Sequence, residues 1–118
     1  MAWAESARLE DRPSLCTEIA RRQLDAAAQL YIDGKPEDAR AAVAEVVTYS
    51  GKARDASIRT GKKLKQTEIG VRKMAARLRD IKRTLIFEEQ GPVQAAVEQL
   101  EQMRTELLAR MFAKKEKK

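Results

Sequence analysis

Residues 52–88 read KARDASIRTGKKLKQTEIGVRKMAARLRDIKRTLIFE, and the fold turns on whether this stretch is one helix or two. It holds no proline, and only Gly61 and Gly70 oppose a helix, each by about 1 kcal/mol relative to alanine. From Leu64 onward a heptad is legible: Leu64, Val71, Leu78 and Leu85 hold one position, Met74 and Ile81 the other, and Thr67 fills the remaining place. Upstream, Ala53, Ser57 and Gly61 set small residues on one face, which suits close contact between helices. The continuous reading gives a helix over 52–88, a spine of roughly 55 Å. The alternative is a break near Gly61 that folds the chain into a compact bundle.

The flanking segments supply partners for such a spine. Pro13 and Ser14 open a first helix over 13–33, since proline is tolerated in a first turn and serine caps well. Cys16, Ile19, Ala20, Leu24, Ala27 and Tyr31 recur along it at three- and four-residue spacing, which is one helical face. Asp33-Gly34 stops it, with Gly34 suited to the left-handed position after a helix end. Pro36 begins a second helix over 36–50, where Glu37 and Asp38 suit the N-terminal dipole. Ala39, Val43, Val46 and Val47 form its apolar stripe, and Ser50-Gly51 reads as its end. EEQGP at 88–92 reads as a tight turn before a last helix over 92–113, which carries Val93, Ala96, Val97, Leu100, Met103, Leu107 and Met111. The spine is as long as helices two and four together, so each would pair with one half of it. KKEKK at 114–118 reads as a basic disordered tail.

The expected fold is all-α, a single helical domain over 1–113. An N-terminal helical hairpin packs on a long antiparallel coiled-coil-like hairpin. The stretch AQLYIDGKPEDARAAVAEVV at 28–47 resembles a single tetratricopeptide-type helical hairpin. Gly34 matches the turn, Ala39 the small position that lets the two helices approach, and Val43 the large residue one turn later. No second copy follows at the period of about 34 residues, and Gly51 stands where that family usually has proline.

Composition agrees with the helical reading, because strong helix formers dominate, Gly and Pro are few and asparagine is absent. It also removes several classes of chemistry. With no histidine, the commonest general base and metal ligand is missing. A single cysteine, Cys16, builds neither an intrachain disulfide nor an ordinary zinc site, and reads as a small buried hydrophobe. TGKK at 60–63 fails as a phosphate loop, since Ala56 stands where that motif needs glycine and Lys63 where it needs Ser or Thr. Glu98, Glu101 and Glu106 read as a solvated face. The expectation is a protein that is not an enzyme and has no cofactor, metal or small-molecule substrate. MAWAESARLEDRPSL has acidic residues and no apolar run, so it does not read as a signal peptide, and no stretch reaches membrane-spanning length. A cytoplasmic location is the corresponding expectation.

Charge is distributed in blocks. Residues 1–51 sum to −3, 52–83 to +9, 84–113 to −3 and 114–118 to +3. Within the basic block Lys65, Arg72 and Arg79 repeat at heptad spacing, with Arg83 one turn beyond, a row whose members sit about 10 Å apart along the helix. Such a row could contact duplex phosphates in a salt-dependent way, although no aromatic residue accompanies it to stack on bases. The simpler account is that these side chains solvate a helix and pair with its acidic neighbours. A membrane-surface helix would need large aromatic anchors that this seam lacks. The remaining candidate is apolar: Leu107, Leu108, Met111 and Phe112 wrap around the end of the last helix, and LIF at 85–87 does so at the end of the third. The expected function is therefore a protein–protein interaction module (adaptor, scaffold or chaperone-like), self-associating or binding a protein partner through Leu107, Leu108, Met111 and Phe112. The alternative is an electrostatic nucleic-acid binder using Lys65, Arg72, Arg79 and Arg83.

Overall fold

A computed structural model describes residues 11–116, with side chains from 11 to 113. Four α-helices and no strands occur among the described residues: α1 Arg12–Ile32, α2 Pro36–Thr60, α3 Leu64–Arg83 and α4 Phe87–Glu116. The first turn is a full glycine C-cap motif. Gly34 adopts a left-handed φ of 74°, its N–H reaches the Tyr31 carbonyl, and Lys35 N–H reaches the Leu30 carbonyl. Pro36 then starts α2 with Glu37 and Asp38 in its first turn.

The architecture is the expected one, a helical hairpin packed on an antiparallel coiled-coil-like hairpin, but the helix ends fall elsewhere. The spine over 52–88 does not form. Ser50 and Gly51 lie inside α2, which runs on to Thr60, and the chain reverses at Gly61–Lys63. Gly61 (φ 69°) and Lys63 (φ 60°) both take left-handed backbone. The reversal is favoured because it lets one apolar core draw on all four helices. Leu24 of α1, Val46 of α2, Val71, Met74 and Leu78 of α3, and Val93, Leu100 and Leu107 of α4 are almost wholly excluded from water. Burying one such side chain stabilises by about 1.5–3 kcal/mol, which outweighs the left-handed strain of a short link. Thr67, the polar residue of the heptad, has its hydroxyl 2.7 Å from that of Ser57 across the α2–α3 junction, so neither is left unpaired in the core.

Two further boundaries move. The second hairpin turns at Thr84–Ile86, and α4 starts at Phe87, so EEQGP is helical and Pro92 lies inside α4. At its other end α4 continues through Glu116, past the expected boundary at 113, while the remainder of the tail lies outside the described residues.

Side-chain pairs fix the directions of packing. Ser14 with Lys63 and Asp25 with Arg77 run in step along α1 and α3, which are therefore parallel. Arg40 with Glu89 and Arg54 with Glu106 do the same for α2 and α4. The two hairpins are thus stacked in the same sense, as in successive units of a helical array, although their sequences do not repeat. The radius of gyration is 14.7 Å, a little above the roughly 13.5 Å of a compact chain of this length.

Candidate functional site

Four large hydrophobic side chains stand exposed among the described residues: Ile32, Ile86, Phe87 and Phe112, at 78%, 66%, 83% and 62% of full exposure. Three of them gather at one end of the molecule, where α1 ends and the α3–α4 turn lies. There the C-terminal parts of α1 and α3 diverge around an open groove of about 690 Å³. Ala28, Tyr31 and Ile32 form one wall, and Ile81, Thr84 and Leu85 the other, with Arg77 and Asp80 on the rim. Ile86 and Phe87 follow Leu85 in the chain and crown the same end.

The groove exists because two sequence signals meet. Tyr31 closes the apolar face of α1, and Ile81 and Leu85 close the seam of α3; all three remain half-buried because no helix covers them from outside. The Tyr31 hydroxyl is shielded from water and bonds to nothing. Burial raises its pKa above the ordinary tyrosine value, the Glu89 carboxylate adds to the rise, and Arg40 opposes it. Opposite signs meet at the rim, where Arg77 pairs with Asp25 and Asp80 with Arg83.

The residues expected to bind a partner at the end of α4 are dispersed by the fold. Leu107 is a core residue with no exposure, since it points along the same face as Leu100 and Met103 toward the interior. It cannot present itself to a partner. Leu108 and Met111 are half-buried, and Met111 packs against the core edge, leaving Phe112 as the one large exposed hydrophobic side chain there among the described residues. Trp3, which could cover that end, lies outside the described residues.

The basic row is also drawn into internal pairing. Arg79 meets Glu101 of α4 at 3.2 Å, Arg72 lies 3.8 Å from Glu68, and Arg83 pairs with Asp80 one turn back. Of the four row residues, Lys65 has no partner among the described residues. Glu68 is buried and accepts a 2.8 Å hydrogen bond from Arg104, which also reaches Glu101, so one network stitches α3 to α4. The Glu68 carboxylate, by that hydrogen bond, holds the Arg104 guanidinium above its ordinary pKa. Sequence reasoning passed over this pair, yet a signal was present. Glu68 is the sole acid in the run 62–79, and Arg104 the sole base between 84 and 109.

Among the described residues no three acidic or thiol side chains converge as a metal site, and no helix is long and apolar enough to cross a membrane. No family model, curated protein or solved structure matches this chain.

Proposed function

We propose that this protein is a non-catalytic interaction module that receives an apolar helical segment of a protein partner in the groove between α1 and α3. The observation that carries the reading is a largely apolar groove with the exposed Ile32 in one wall, whose other wall ends at Leu85, directly before the exposed Ile86 and Phe87 in the chain. A cleft between two helices suits a third helix laid along it, with side chains at three- and four-residue spacing as anchors. The mixed charges of the rim favour a segment carrying both signs over a strongly charged one. The lack of histidine and the single buried cysteine fit a role without chemistry.

The test is selection of binders from a displayed library of amphipathic helical peptides, followed by titration of variants. Ile32→Glu and Phe87→Glu each weaken the selected peptides about tenfold or more, because they place a charge in an apolar contact. Phe112→Glu, at the opposite end of the bundle, leaves affinity unchanged. The reverse pattern would move the site to the end of α4. Binding of duplex DNA at low salt that vanishes when Lys65, Arg72, Arg79 and Arg83 become glutamine would replace the reading with an electrostatic nucleic-acid one.

A further inference from the structure

Only residues 61–63 separate α2 from α3; Gly61 caps α2 in left-handed backbone and the Lys62 N–H reaches the Thr60 hydroxyl, but Lys63 completes the turn at a cost. Lys63 is the one non-glycine residue with positive φ among the described residues, a conformation that any side chain with a Cβ resists. No side-chain cap starts α3, and its first turn has no acidic residue. The stretch has helical pattern on both sides and no proline. If these three residues became helical, α2 and α3 would join into one rod from 36 to 83, and the left-handed strain would be released. The contacts between the two hairpins would then open. Asp25 would leave Arg77, Arg54 would leave Glu106, and Gly70 would leave Thr17. An identical set opens in any second copy that straightens, and the two sets satisfy each other.

We infer that the interface between the hairpins is an exchange surface whose partner is a second copy of this chain. The α3–α4 hairpin of each copy packs on the α1–α2 hairpin of the other, with 61–63 helical in both. The contacts exchanged carry opposite charges face to face, so two copies meet with the same complementarity that each has within itself. A two-fold arrangement uses up both surfaces and closes at the dimer. In that dimer the groove has walls from two chains, with Tyr31 and Ile32 from one and Ile81 and Leu85 from the other.

Gly61→Ala tests this, because alanine disfavours the left-handed turn and favours the rod. Counted over both chains, it shifts the monomer–dimer balance toward dimer by about a thousandfold, and Lys63→Gly shifts it the other way. Size exclusion with light scattering, after refolding at high concentration, reads both. To separate exchange from side-by-side association, Thr17→Cys and Gly70→Cys, whose Cβ positions lie within bridging reach across the α1–α3 contact, are added to a Gly61→Ala chain that also carries Cys16→Ala, and oxidised. Exchange gives a covalent dimer on a non-reducing denaturing gel, whereas an unexchanged fold gives only monomer-sized bands. A folded Gly61→Ala chain that stays monomeric at about 1 mM, the effective concentration of a tethered hairpin, would overturn the inference, as would monomer-sized bands from a dimer. Should Gly61→Ala not fold, Lys62→Ala with Lys63→Ala keeps the glycine, also favours the rod, and is read by the same two criteria.

Discussion

A Cβ added to Gly70 would stand 2.9 Å from Cγ2 of Thr17, closer than two carbon atoms can rest. Gly70 lets α3 approach α1 at that point, so its helix penalty is repaid in packing. Gly91 has nothing within 4 Å of the same position, on an exposed part of α4. Two substitutions of one kind should therefore have opposite signs. Gly91→Ala raises stability by less than the usual helix gain of about 1 kcal/mol, because Pro92 crowds a Cβ on the residue before it, whereas Gly70→Ala lowers it by about 1 kcal/mol after its helix gain is set against the overpacking. Thr17→Ser removes the obstructing methyl group and restores the Gly70→Ala chain; denaturant midpoints of the three variants and the double variant check this. Equal effects at the two glycines would refute the close approach. Tyr31 offers a second residue-level outcome. Its folded-state pKa is raised, chiefly by burial, so the fold favours the protonated phenol. That contribution is fully present below the ordinary tyrosine value of about 10 and is lost as pH climbs through the raised one. Tyr31→Phe should leave neutral-pH stability nearly unchanged, since the hydroxyl has no partner, and should flatten the alkaline decline measured by urea unfolding from about pH 8 to pH 11.

Among the elements, α3 and α4 are held by the apolar seam and by the network around Glu68. Glu68→Gln and Arg104→Gln each lower the denaturant midpoint, because each leaves its former partner without its charge. The double variant loses less than the two single losses together, and strict additivity would show that the pair carries no coupling. The elements also show where the sequence was legible. Apolar periodicity identified the buried faces of all four helices, down to Thr67 as the seam's polar member, because the spacing of buried residues is dictated by the helix itself. The α1–α2 turn was equally plain, since Gly34 and Pro36 have local reasons to be there. The α2–α3 break was not. Gly61 is its one sequence signal, and the force that bends the chain there is burial against residues distant in the sequence. EEQGP misled for the converse reason. Gly91 and Pro92 are common in turns, yet α4 runs through both: Pro92, its sixth residue, forfeits one backbone bond, and the burial of Val93, Ala96 and Val97 just beyond it offsets that loss.

Over the whole molecule, the candidate surface was only partly readable from residue types. LIF at 85–87 was visible as an apolar run, but the meeting of Leu85 with Tyr31 and Ile32 across the groove depends on α1 lying parallel to α3. The basic row was visible too, while its pairing with Glu101 depends on the return of α4. Leu107, conversely, already stood on the apolar stripe of the last helix with Leu100 and Met103, so its place in the core followed from the periodicity that sets it apart from Leu108 and Phe112. The same parallel stacking has a mechanical consequence. Because α1 starts and α4 finishes beside the 61–63 link, both ends of the described chain emerge at one pole, and the groove opens at the other, a helix length of roughly 30 Å away. Anything tethered at either end, a bead, a surface or another polypeptide, would hold the molecule like a plug on a cord, with its apolar mouth facing outward and unobstructed.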